Sequence, residues 1–329
     1  DALNYNTAVG YAAGLVLEDG IQNTLIGGLA GDANTTADNM TAVGYNAMGT
    51  YNRTDGANSN NTAVGSNAFA GLTTGNSNTA VGSQAGYSQQ GAANCAYLGY
   101  RAGYLSTGES NTFVGSLAGD ATDDGAYNTA VGHGALSANC GDGNVAVGYG
   151  ALAVSTAANN TAIGINSQVL VVGGISNTSV GAYALQTTTT GDHNIGVGYN
   201  ANSSSAGADG ECTLGNADIS TLRCNDTSIS SLSDSRDKTD VVNSPYGLDF
   251  INTVRPVQFK WQTRDGNVKD GKTRLGFLAQ ELLTAADGNN AVLDLVMDNN
   301  EDKLEAKYGN LLPVLTKAVQ ELSTALDAA

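Results

Sequence analysis

The run Ser233-Asp234-Ser235-Arg236-Asp237-Lys238 is the one cluster in the chain whose residue types and spacing suit covalent chemistry. A serine hydroxyl becomes a nucleophile only when a base takes its proton, and Lys238, five residues on, is the base at hand. A free lysine titrates near ~10.4, so bringing such a group to about 7–8 means disfavouring its charged form by roughly 3–5 kcal/mol. Burial and a positive neighbour such as Arg236 push in that direction, whereas Asp234, Asp237 and Asp240 push against it if they face the amine. On residue types alone, a solvated acidic turn accounts for the same run.

Other chemistries are poorly supplied. Cys95, Cys140, Cys212 and Cys224 lack metal-ligand spacing, and their spacing fixes no disulfide pairing. His133 and His193 are far apart and read as loop or surface residues, so no metal and no cofactor is expected. The acidic corners Asp123-Asp124-Gly125 and Asp142-Gly143 suit either a cation or an ordinary polar turn. The formal net charge of −17 argues against nucleic acid or anionic lipid as a partner. No apolar run approaches a bilayer span, and the start, without an initiator Met or a signal peptide, is expected to be that of an excerpt.

Composition divides the chain. Residues 1–232 hold 37 of the 43 glycines, no proline, and only Arg53, Arg101 and Arg223 as basic residues. Residues 233–329 hold all three prolines and the single tryptophan, Trp261. The first part repeats a phrase, Asn-Thr-Ala-Val-Gly, whose marker glycines run from Gly10 and Gly27 to Gly198 and Gly215 in thirteen units. The spacing is 16 or 17 residues except for one unit of 21, with its insertion around Tyr51–Asn60. Alanine stands three residues after the marker in eleven of the thirteen units.

A repeat this short suits one coil of a parallel β-solenoid, with Gly, Asn and Ser at the corners. A low-complexity disordered tract is the alternative, and the regular return of the apolar position argues against it. Within each strand Thr62 and Val64 share one face and Ala63 and Gly65 the other. The bulky Val row is expected inside, with the Ala/Gly face open to a neighbouring backbone. Leu312, Leu315, Val319, Leu322 and Leu326, spaced three and four apart, give either a coiled-coil seam or one face of a packed helix.

The repeats from Asn6 to about Asn216 resemble the head repeats of trimeric autotransporter adhesins and phage tail fibres, which implies a left-handed parallel β-roll assembled as a trimer. Three further blocks, SLSDSRDKTDVVNSPYGLDFINTVRPVQFKW, TRLGFLAQEL and AKYGNLLPVLTKAVQELSTAL, resemble the endosialidase-type intramolecular chaperone at the ends of phage tail spikes and fibres. The resemblance implies that a Ser–Lys pair in Ser-Asp-x-Arg-x-Lys cuts the bond before the serine once the trimer has folded. Carried onto this chain, the pair is Ser233 and Lys238, the scissile bond is Leu232–Ser233, and Asp234 and Arg236 are candidate supporting residues.

The expected fold is mainly β, a trimeric β-roll or β-solenoid shaft over 1–216, a neck over 217–232, and a small α+β chaperone over 233–329 ending in a coiled-coil helix. The expected function is that of a tail-fibre-like structural and host-attachment protein of a virion, made in the host cytoplasm, with one self-cleavage as its only catalysis. Its partners would be two further copies of itself and a host-surface glycan or protein. A polysaccharide-degrading tail spike and a cellular trimeric adhesin are the alternatives. The first lacks an evident carboxylate pair against a sugar platform, and the sequence upstream of the repeats would decide the second.

Overall fold

The computed structural model describes residues 4–53, 58–219, 221–225, 231, 233–262 and 271–329. The chain divides into two compact units, Asp1–Asn216 and Ala217–Ala329.

The first unit is a parallel β-solenoid of thirteen three-residue strands, β1 (Thr7–Val9) to β13 (Cys212–Leu214), stacked in sequence order as one sheet. Each strand pairs in register with its counterpart one repeat away, so Thr62, Ala63 and Val64 face Thr79, Ala80 and Val81. The strands are short because the marker glycine ends them in a conformation closed to other residues. Gly82 sits at φ +140°, and a Cβ there would fall 2.3 Å from the carbonyl oxygen of Gly99 in the next coil.

The interior is the reverse of the expected one. From β2 to β12 the central residue of each strand points inward, as at the fully buried Ala63, Ala80, Ala130 and Ala162, while Val64 and Val180 stand outside at 36% and 40% exposure. A coil of 16 or 17 residues encloses a thin core in which opposing walls nearly meet, so the small face turns in and the Thr/Val face forms the outer surface of the sheet.

What fills the core is a pair of positions six residues apart. In four coils with a small strand centre the second position is large: Ala42 with Met48, Ala63 with Phe69, Ala130 with Leu136, Ala146 with Leu152; in the coil of Ala80 and Gly86 both are small, and the Phe69 and Tyr97 rings of the flanking coils reach in. Where the strand centre is large, the second is glycine: Leu25 with Gly31, Tyr97 with Gly103, Phe113 with Gly119. The aromatic members touch from coil to coil, Phe69 to Tyr97 at 5.9 Å and Tyr97 to Phe113 at 5.4 Å between ring centres. Filling the core at native packing density is the reason for the exchange.

A second row fixes the coils to one another. Nine of the thirteen strands are preceded by a buried asparagine, from Asn23 to Asn194, and at most of them the side chain does two jobs at once. Asn160 Oδ1 accepts from the backbone N–H of Asn177 at 2.9 Å, and its Nδ2 donates to the Gly174 carbonyl at 2.8 Å. Asn177 repeats both bonds, to Asn194 and Gly191. The carboxamide suits both jobs because it carries its acceptor and its donor on separate atoms at the end of a short stem.

The second unit is small and mixed. Helix α1 (Leu248–Ile251) precedes the antiparallel pair β14 (Val257–Lys260) and β15 (Thr273–Gly276). Then come α2 (Ala279–Ala286), α3 (Asn290–Leu293), the short pair β16 (Val296–Met297) and β17 (Glu305–Ala306), and the terminal α4 (Leu311–Asp327). Its core is Leu282, Ala286, Leu293, Leu295, Val296, Leu311 and Val314. Pro313 is tolerated because it falls in the first turn of α4, where no intrahelical N–H bond is needed. Glu321 on α4 accepts the Leu248 N–H at 2.7 Å and pairs with Lys317, tying α4 to the start of α1.

Helix α4 has two apolar stripes side by side. Leu311, Val314 and Ala318 are buried in the unit, while Leu312, Leu315, Val319, Leu322 and Leu326 remain exposed, at 44% to 78%. No helix among the described residues is long and apolar enough to cross a membrane.

Candidate functional site

Ser233 and Lys238 meet because the chain between them turns. Residues Ser235–Asp237 form a single 3-10 turn, and Asp234 caps it by accepting the Arg236 backbone N–H at 2.9 Å. The turn closes with the Lys238 N–H bonded to the Ser235 carbonyl, which folds the lysine back on the serine. Lys238 Nζ then lies 2.5 Å from Ser233 Oγ, and both residues are exposed in the single chain.

The supporting pair is bound to itself. The Arg236 guanidinium donates to Asp234 through Nε at 3.0 Å and through the terminal nitrogen at 2.6 Å, and this pairing holds the Asp234 carboxyl below the usual carboxylate range. The charges of Asp234 and Arg236, one opposing and one assisting Lys238, are thereby spent on each other. Both side chains are exposed, so the pair shapes the turn more than it stabilises the unit. Leu232, the other side of the expected scissile bond, lies outside the described residues.

The remaining candidates resolve simply. All four cysteines are free, Cys95 and Cys140 buried in the solenoid and Cys212 and Cys224 exposed. No group of three or more His, Cys, Asp or Glu among the described residues could hold a metal ion. Asp142 at its corner accepts the Ala126 N–H at 2.8 Å, the role of a polar turn. His133 is an exposed ring stacked on Tyr149, and His193 is an exposed corner residue.

Sequence reasoning missed the pairing of Asp234 with the Arg236 backbone and side chain. Its signal was present, since an acidic residue two before an arginine in a Ser-rich stretch is a turn-capping pattern.

Neither a curated protein nor a solved structure matches the chain. Residues 233–293 match a peptidase family described as the chaperone of endosialidase. The match begins at Ser233 and ends with α3, so α4 lies beyond it. Residues 233–293 are therefore similar to the chaperone of endosialidase family, and they follow a parallel β-solenoid of thirteen strands.

Proposed function

We propose that this protein is a homotrimeric fibre subunit of a virion tail appendage, and that its C-terminal unit assembles three chains and then releases itself by cutting Leu232–Ser233. The observation that carries the cleavage is the approach of Lys238 Nζ to Ser233 Oγ at 2.5 Å, at the first residue of the family match.

The step balances with water as the only co-reactant. Neutral Lys238 takes the Ser233 hydroxyl proton, and Oγ attacks the Leu232 carbonyl carbon as the C–N bond to Ser233 breaks. Lys238 returns the proton to the leaving amine, and water hydrolyses the resulting ester. The products are a shaft ending in the Leu232 carboxylate and a chaperone starting with the free Ser233 amine. In the single chain Lys238 is exposed, so the desolvation that a lysine base requires would come from neighbouring copies.

Two surfaces support self-association. The outer stripe of α4 has coiled-coil spacing and is exposed among the described residues. The Thr/Val face of the solenoid presents one apolar side chain per coil, among them Ile26, Val64, Leu98, Val131, Ile163, Val180 and Val197. Parallel coils form non-local contacts slowly, and a removable clamp that aligns three chains answers that problem.

Intact-mass measurement tests the cleavage. The protein should give two fragments, the second beginning at Ser233, while Ser233→Ala and Lys238→Ala each give one full-length species. Two fragments from Ser233→Ala would reject the nucleophile.

A further inference from the structure

The solenoid carries a notch that its repeat does not require. Two residues past each marker glycine, the chain enters the left-handed region and presents a side chain outward, as at Asn46, Asn67, Arg101, Leu117 and Asn166, with φ between 50° and 59°. Two consecutive coils break this row with Gly134 and Gly150, at φ +64° and +62°. A Cβ on Gly134 would meet nothing within 4 Å. Gly134 leaves an open recess of about 470 Å³, lined in part by Leu117 and Asn166, whose amide oxygen would lie 2.5 Å from a Cβ on Gly150.

The walls are polar on both sides. His133 and Tyr149, stacked at 5.5 Å and 11°, form one of them, and Asp120 and Ser137 stand on the other. The Asp120 carboxylate is half-buried, and burial raises its pKa above the usual value. The backbone amides at Asp120 and Ala121 act weakly in the opposite sense, and the carboxylate makes no ion pair among the described residues. Arg101 and His133 are the charged or chargeable groups near it.

The geometry points to the notch as a binding site for an uncharged sugar residue. The recess falls within the size range of small-ligand sites, about 300–1,000 Å³, and it combines the apolar Leu117 and Ala153 with several groups that can bond a hydroxyl. Asp120 offers acceptor capacity to a ligand hydroxyl, and the Tyr149 hydroxyl and Asn166 amide can each donate or accept. Charge selects against the alternatives. Asp120 and the strongly acidic shaft oppose an anion, and Arg101 beside Asp120 opposes an ammonium group.

The site lies wholly within the first unit and does not depend on cleavage at Ser233. Saturation-transfer NMR on the full chain, with D-glucose, D-galactose and N-acetyl-D-glucosamine as probes and D-glucuronate as the charged control, tests it. At least one neutral sugar should receive transfer and glucuronate should not. Gly134→Asn fills the recess with a residue type that Asn46 and Asn67 already hold at the same place and φ, so the coil should fold normally. This variant should bind at least about tenfold more weakly, as should Tyr149→Ala. Absence of transfer to all three neutral sugars, preference for glucuronate, or unchanged binding by Gly134→Asn would each overturn the proposal.

Discussion

Phe113 and Gly119 share one volume: a Cβ placed on Gly119 would lie 2.5 Å from the Phe113 ring. Gly119→Leu should therefore cost about 1–3 kcal/mol by overpacking, with added strain from its φ of +59°. Phe113→Ala alone should cost about 3–5 kcal/mol by leaving a cavity. The double variant recreates the Ala130 and Leu136 arrangement of the following coil and should recover most of both losses. Thermal unfolding of the four proteins measures the coupling, and simple additivity would show that the two positions do not trade volume.

The repeat, the thirteen coils and the parallel architecture were legible because one phrase returns at nearly fixed spacing. The direction of its faces was not. Alternation says that Thr62 and Val64 share a side, but not that the side is outside. Burial preference alone favours Val within, and the narrowness of the coil overrides it. The exchange between positions six apart was readable in pairs such as Ala63 with Phe69 and Tyr97 with Gly103, once the alanine is known to point inward. At Ser233 the sequence supplied residue types and a spacing of five. The fold supplied the Asp234-capped turn that closes that spacing to 2.5 Å.

The asparagine row makes a sharper stability prediction than the apolar core. Asn160→Ala leaves the Asn177 N–H and the Gly174 carbonyl unpaired in a dry interior, at about 1–3 kcal/mol for each group. Asn160→Asp keeps the acceptor, loses the donor and buries a carboxylate, so it should be worse than alanine near neutral pH and should recover as the solution is acidified. Melting curves of both variants across pH decide it, and equal losses at every pH would remove the charge argument.

Asp120 makes the notch a cost to the fold. Its pKa is raised in the folded state, first by burial, so the folded chain binds its proton more tightly than the unfolded one. The contribution to stability is therefore fully present below the unfolded value of about 3.9 and is lost as pH rises through the folded value. Asp120→Asn should stabilise the shaft near neutral pH, and the gain should vanish in acid. Because the carboxylate is only half-buried, solvent screening keeps the gain small. Differential scanning calorimetry at both ends of the range tests the sign, and a destabilised variant at neutral pH would contradict it.

The two stripes of α4 predict different phenotypes for neighbouring leucines. Leu311 is 3% exposed and belongs to the core, so Leu311→Ala should cost about 2–5 kcal/mol and loosen the unit. Leu315 is 44% exposed and Leu322 51%, so Leu315→Glu with Leu322→Glu should leave the folded unit intact in a single chain. If the outer stripe joins three copies, the double variant runs as a monomer in light scattering. If neighbouring copies also complete the environment of Lys238, the monomer stays uncleaved although Ser233 and Lys238 are untouched. A monomer that still cuts at Ser233 would separate cleavage from assembly, because the capped turn alone would then suffice to activate the serine.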